Sequence, residues 1–146
     1  MITYEPARKE QFEELMALMM DEGEYLREAL RLMNITESEF DNLFRTIGQV
    51  YCIYADQQLA GFYWVEEREQ ILHLHAIILK AQFQGQGIGT QTLNNLTKQL
   101  KHSINGIELG VHESNLRAIR VYERNGFKMV KELHDVRFLI MQKQVR

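Results

Sequence analysis

The sequence predicts an α/β domain: one strand and a set of helices, then three strands, a helix, a strand, a helix and two strands. Three observations predict it. Runs of strand length, apolar or alternating, recur at 50–55, 59–65, 71–79 and 107–111. Apolar residues at helical spacing fill much of the first 47 positions and recur after position 90. Between them a glycine-dense turn, Gln84-Gly85-Gln86-Gly87-Ile88-Gly89-Thr90, joins the apolar run Ala76-Ile77-Ile78-Leu79 to a segment of helical spacing.

Each element has its own signal. Residues 2–4 read as a short strand ended by Pro6, the only proline. Phe12, Leu15, Met16, Met19 and Met20 form a helical stripe of the kind that fills a core. After Gly23, a second helix is suggested by Tyr25, Leu26, Leu30 and Met33. A third carries Phe40, Leu43, Phe44 and Ile47, with Thr36 and Glu39 spaced as a capping box and Gly48 as its stop. Two strands, 50–55 and 59–65, flank the polar turn Asp56-Gln57-Gln58, and a second polar turn at 67–70 leads into a strand over 71–79. The helix after the glycines presents Leu93, Leu96 and Leu100 on one face. Ile107-Glu108-Leu109-Gly110-Val111 alternates like a half-buried strand, and two last strands are expected near 128–132 and 136–142. No linker, repeat or low-complexity segment divides the chain, so residues 1–146 read as one domain.

Bulk properties narrow the class. A chain of 146 residues buries roughly two-thirds of its unfolded surface. With 45% hydrophobic residues and a net charge of −3, it reads as a soluble globular protein with no call for a nucleic-acid partner. One cysteine, Cys52, excludes an internal disulfide and most cysteine-based metal sites. The longest apolar stretch, 15–20, is too short to span a bilayer, and Glu5, Arg8, Lys9 and Glu10 break up any leader-like run. No membrane association is expected, and a reducing cytoplasm is the default location.

The glycine turn points to an anion. Glycines let the backbone curl so that N–H groups converge, and the helix that follows adds a partial positive charge and unpaired donors. A phosphorylated ligand suits such a site. The dinucleotide fingerprint fails, because position 90 is Thr90 where a third glycine is required; a P-loop fails, because no lysine stands at the helix mouth.

What the residues do match is Gln/Arg-x-x-Gly-x-Gly/Ala, as Gln84-x-x-Gly87-x-Gly89. Downstream, Asn115, Ala118, Tyr122, Gly126 and Phe127 follow as Asn-x-x-Ala-x-x-x-Tyr-x-x-x-Gly-Phe. Each half alone is an ordinary turn or strand-helix-strand unit. Together, and in this order, they resemble the cofactor site of the GNAT superfamily of N-acetyltransferases. The resemblance covers about 51–141 and is most specific between His73 and Phe127. It implies a mixed, twisted sheet of about seven strands flanked by helices and splayed between the fourth and fifth.

The resemblance also implies a chemistry. Acetyl-CoA, the cosubstrate, would lie in the splay, its pantetheine arm bonded by backbone groups of Ile77, Ile78 and Leu79 and by Asn115. Its pyrophosphate would sit on the Gln84, Gly85, Gln86, Gly87, Ile88, Gly89 and Thr90 loop. An amine would attack the thioester directly, an N–H near Ile77 would stabilise the oxyanion, and Tyr122 matches the family's general acid. Tyr122 is also readable as a packed helix aromatic.

His73 and His75 share a strand face, and imidazole titrates near pH ~6.5, a range suited to relaying the amine proton. The spelling His73-Leu74-His75 looks like the paired histidines of the arylalkylamine N-acetyltransferases; both are equally readable as structural. Many relatives carry a glutamate near the position of Ile71, and Glu69 lies close to it. Cys52 reads as a small core residue. Asp21, Glu22 and Glu24 attract a cationic amine or form a solvated helix start. His102, His112 and His134 are scattered without metal-ligand spacing, and no metal is expected. Lys80, Arg117, Arg120 and Arg124 hold cofactor phosphates or are simply exposed.

Three functions are consistent with these residues. A small-molecule amine acetyltransferase is favoured. Acetylation of a protein N-terminus or lysine, and a non-catalytic acyl-CoA-binding regulatory module, are the alternatives. A homodimer is allowed by resemblance only. Position 81, often proline in relatives, is Ala81, and the first loop residue is Gln84 rather than arginine; both lie within family variation.

Overall fold

The computed structural model describes residues 1–23 and 25–145. Its elements are β1 (Ile2–Pro6), α1 (Phe12–Glu22), α2 (Leu26–Leu32), α3 (Glu37–Thr46), β2 (Gln49–Ala55), β3 (Gln58–Arg68), β4 (Ile71–Leu79), α4 (Ile88–Lys98), β5 (Gly106–His112), α5 (Leu116–Arg124), β6 (Lys128–Leu133) and β7 (Phe138–Gln144). Short 3-10 turns occupy Lys9–Gln11 and Ala81–Phe83.

Local chemistry accounts for the boundaries. Thr36 caps α3 by accepting from the Glu39 N–H at 3.0 Å, and the Glu39 carboxylate accepts from the Thr36 N–H at 3.0 Å, a complete capping box. The β2–β3 connection is a two-residue turn with Asp56 and Gln57 both at positive φ, the geometry that matches strand twist in tight hairpins. The β3–β4 turn repeats it with Glu69 and Gln70. β3 therefore runs on through Glu67 and Arg68, residues the sequence assigns to the turn. The final strand begins at Phe138 rather than at position 136, because Arg137 sits at φ 61 and closes a turn.

The seven strands form one mixed sheet in the order β1-β2-β3-β4-β5-β7-β6. Every neighbouring pair is antiparallel except β4 and β5, which are parallel and are joined through α4, as a parallel pair requires a crossover. The swap of β6 and β7 leaves β6 at the edge.

Helices cover both faces. On one, Leu93 and Leu96 of α4 and Ala118, Ile119 and Tyr122 of α5 pack with Leu72, Leu74, Ile107, Leu109 and Phe127. On the other, Leu15 and Met19 of α1 and Phe44 of α3 pack with Val50, Cys52, Phe62 and Trp64. Both helical stripes thus face the sheet, and apolar burial on this scale is the main source of stability.

Two features of β4 position the site. The β4–β5 ladder pairs Ile71 with Gly106 through Leu74 with Leu109 and then ends, so the strands splay beyond Leu74. Opposite, β3 pairs Val65 with Leu74 and Trp64 with Ala76, which leaves His75 as the extra residue of a β-bulge. The bulge reverses the alternation. Leu72 and Leu74 face α4 and α5, and beyond it so do Ile77 and Leu79, whereas Ala76 and Ile78 join the α1–α3 side.

Candidate active site

The glycine turn has the geometry its sequence demands. Gly85 and Gly87 sit at φ +75 and +80, where a side chain is strained. Gly87 is the N-cap of α4 and has no side chain with which to cap it, so the first-turn amides of Ile88, Gly89 and Thr90 stay available to a ligand. A Cβ built on Gly87 or Gly89 would meet nothing within 4 Å, so the loop faces open space.

That space is a cleft of about 730 Å³ between the glycine loop, the end of β4 and α5. Ile77, Leu79, Gln84, Gly85, Gly87, Gly89, Thr90, Asn115 and Tyr122 line it. Three guanidinium groups, those of Arg117, Arg120 and Arg124, stand along its α5 wall. Amide donors at a helix mouth opposite three arginines suit a ligand carrying several phosphates. Beyond Leu74 the β4 edge has no ladder partner on the β5 side among the described residues, so its backbone groups are open to an extended, amide-bearing arm.

A second cavity of about 560 Å³ lies across the splay, under α1–α3. Its walls are mainly apolar and aromatic, with Met19, Tyr25, Phe40, Trp64 and Phe138 among them, and its polar groups include Glu22, His75 and His112. Ile77, Asn115, Ala118 and Tyr122 line both cavities. The two spaces therefore meet at these four residues.

Tyr122 stands at that junction, half-buried, its ring edge-on to Phe127 at 5.8 Å. Burial alone pushes its phenol up to about 12, so it keeps its proton at neutral pH. Asn115 caps α5 by accepting from the Ala118 N–H at 3.3 Å, which leaves its side-chain amide donors for a ligand. Gln84 is more firmly held: its amide donates to the Leu79 carbonyl at 2.9 Å and to the Glu22 carboxylate at 3.0 Å.

The histidines differ in placement. His75 lines the second cavity, and its Nε2 lies 2.8 Å from Glu66 Oε1. That bond is the chief reason the Glu66 carboxyl is held below its ordinary range. His73 lies next along the face, 6.4 Å from His75 between ring centroids, and lines neither cavity. Burial, reinforced by Arg68, pushes its imidazole below the ordinary value.

Other sequence candidates fall elsewhere. Ile88 turns its side chain into the core, and the Gln86 side chain folds back onto the Gln82 carbonyl at 2.9 Å, so both can serve the loop only through their backbone. Glu69 is an exposed hairpin residue outside both cavities. Cys52 is fully buried against Gln11, and burial pushes its thiol up, away from a reactive thiolate. Asp21 is exposed, Glu22 lines the second cavity, and Glu24 lies outside the described residues. Lys80 faces Glu14 at 3.8 Å and lines neither cavity.

Two residues tied to the second cavity carry no sequence signal for it: His112 lines it, and Glu66 holds the His75 ring there. Glu66 reaches His75 only through the β3–β4 pairing, and His112 is buried at the end of β5 by contacts from distant segments. No helix among the described residues is long and apolar enough to cross a membrane.

Comparisons with known proteins bear on the family and the fold. The model of the acetyltransferase (GNAT) family matches residues 10–127. A Bacillus subtilis protein described as an uncharacterized N-acetyltransferase, YvbK, is 30% identical over 90 residues, 60% of this chain. The chain spans 58% of the length of that relative. Among solved structures, the PaiA N-acetyltransferase of Thermoplasma acidophilum, determined in complex with coenzyme A, is similar with a TM-score of 0.77, 20% identity and 99% of each chain covered. A GNAT family acetyltransferase of Elizabethkingia anophelis with acetyl-CoA bound gives a TM-score of 0.73 at 16% identity, covering 98% of this chain and 97% of that one. At these identities the structural likeness speaks for the fold.

Proposed function

This chain belongs to the GNAT acetyltransferase family, and from that premise we propose that it moves an acetyl group from acetyl-CoA to the primary amine of a small, largely apolar acceptor. The observation that carries the reading is the meeting of the two cavities at Ile77, Asn115, Ala118 and Tyr122. One space is polar and arginine-walled, as a phosphorylated cosubstrate requires. The other is apolar and aromatic, as an organic acceptor requires. A group passed from one to the other passes Tyr122.

The glycine-loop amides and Arg117, Arg120 and Arg124 hold the phosphates, and the open edge of β4 beyond Leu74 takes the pantetheine arm. Acetyl-CoA supplies an activated acyl group whose leaving group is a thiolate. A backbone N–H at the splay, near Ile77, stabilises the oxyanion on this reading. His75 acts as base: with Nε2–H donated to Glu66, Nδ1 carries the free lone pair that draws the amine proton, directly or through water. Tyr122, which holds its proton at neutral pH, is the acid for the departing sulfur. Hydrogen-bonded positioning of both reactants supplies the rest.

The test is release of free CoA thiol from acetyl-CoA across a panel of aryl-ethylamines, polyamines, aminoglycosides and peptides. Amine-dependent thiol release with a small apolar amine supports the reading. Tight CoA binding with no thiol released by any acceptor overturns it in favour of a non-catalytic module, and release with peptides alone reassigns the acceptor to protein.

A further inference from the structure

We infer that His112 is a specificity-determining residue of the acceptor cavity: its imidazole is fixed as an Nε2–H donor, and the acceptor for that donor is an uncharged oxygen on the amine substrate. The inference rests on reading the second cavity as the acceptor site.

His112 is 3% exposed and lines that cavity at the last position of β5, just past the splay. Its ring is clamped. Tyr25 stacks on one face at 4.1 Å and 7°, and Phe138 meets it edge-on at 5.5 Å and 85°. The Ser114 N–H donates to its Nδ1 at 3.1 Å. A backbone N–H can only donate, so Nδ1 must be the unprotonated nitrogen. The ring proton therefore sits on Nε2.

That Nε2–H is buried and has no hydrogen-bond partner among the described residues. The nearest carboxylate oxygen, Glu28 Oε2, is 3.7 Å away, too far for a hydrogen bond. Buried donors are rarely left unpaired; because His112 lines the cavity while its Nε2 is closed to solvent in the free protein, a ligand supplies the missing acceptor as the wall around that nitrogen opens on binding. Two neighbours define that acceptor. The surrounding walls, Tyr25, Leu26, Val111 and Phe138, are apolar and favour an aryl or alkyl body. Glu28 stands beside the same N–H, so a substrate carboxylate would meet a like charge, whereas a carbonyl or hydroxyl oxygen would not.

The fixed tautomer also separates the two cavity histidines by role. His75 gives its Nε2–H to Glu66 and keeps a lone pair for a proton; His112 keeps no free lone pair and can only donate. His112 therefore orients and selects the substrate and takes no proton from it.

Trp64 is the only tryptophan and lines this cavity, so its fluorescence reads acceptor binding without turnover. Three probes with one aryl body are titrated into the CoA-loaded protein: phenylalaninamide, with a neutral carbonyl; phenethylamine, with none; and phenylalanine, with a carboxylate. The wild type is expected to bind phenylalaninamide at least roughly tenfold more tightly than either of the others, since an oxygen that satisfies a buried donor is strongly preferred over its absence. His112→Phe keeps an aromatic ring between Tyr25 and Phe138 and is expected to bring amide and amine within about twofold of each other. In wild-type protein, nitrogen NMR of the ring is expected to show Nε2 protonated and Nδ1 bare at neutral pH. Equal binding of amide and amine by the wild type, an unchanged preference in His112→Phe, no binding of any probe, or an Nδ1–H tautomer would each overturn the inference. The thiol-release assay is independent of all four readings, so failure here and failure of the acetyl-transfer reading are distinguishable.

Discussion

The His75 ring and the Glu66 carboxylate face each other across the β3–β4 bulge, with Nε2 and Oε1 2.8 Å apart. The bulge turns the imidazole into the cavity, and the carboxylate fixes which of its nitrogens is bare. On the proposed mechanism, proton abstraction falls to His75, with His73 behind it. Replacing His75 by Gln is expected to lower kcat on the order of a hundredfold at neutral pH and to flatten the ascending limb of the pH–rate profile. His73→Gln should keep that limb. A His75→Gln profile that overlays the wild type would remove the base from this position.

Tyr122→Phe deletes one hydroxyl at the junction of the two cavities. Turnover should fall roughly tenfold or more while the dissociation constant for acetyl-CoA, measured by calorimetry, stays close to wild type, the pattern of an interaction made in the transition state. Unchanged kcat would leave Tyr122 with a packing role only.

Two glycines separate binding from folding. Gly87→Ala adds a methyl to open space but forces a side chain to φ +80, at a cost of about 1–2 kcal/mol, and it disturbs the loop amides, so CoA affinity should fall while the protein stays folded. Gly61→Ala places a Cβ 2.0 Å from the Ile78 carbonyl oxygen, at the Gly61–Leu79 end of the β3–β4 ladder. Thermal unfolding should register a loss of roughly 1–3 kcal/mol and CoA binding should weaken with it. A Gly61→Ala protein with wild-type melting temperature would contradict the close approach.

His73 makes stability depend on pH. Its imidazole is depressed in the folded state, chiefly by burial, so the unfolded chain binds the proton more readily than the native one. The contribution is fully present above the ordinary imidazole value and is lost as pH falls through it toward the lower folded value. His73→Asn should therefore flatten the fall in melting temperature between about pH 7 and pH 5, the window around the ordinary imidazole value. A slope identical to wild type would show that His73 titrates as it does in the unfolded chain.

Local chemistry is what the sequence displays. The capping box at Thr36 and Glu39, the apolar run of 50–55 and the glycine loop are short-range signals, and each has its counterpart in the structure. The β4 bulge is not such a signal: no residue type marks His75 as the extra one, because the shift arises from how β3 pairs with it. Glu66 meets His75, and His112 joins the wall of the second cavity, for the same reason. Their partners lie 9 positions away for Glu66 and on α2 and β7 for His112, so only the assembled sheet brings them into place. The start of the last strand was displaced by two residues because Arg137, a poor turn residue by type, takes a left-handed conformation.

The Gln84 side chain joins the rim of one cavity to the wall of the other, since Glu22 at the end of α1 accepts from the same amide that holds the Leu79 carbonyl. Any ligand that resettles the glycine loop must stretch or remake that link, and the displacement arrives at α1. Were that link to shift on binding, occupancy of either chamber would alter affinity in its neighbour, by the same factor in both directions.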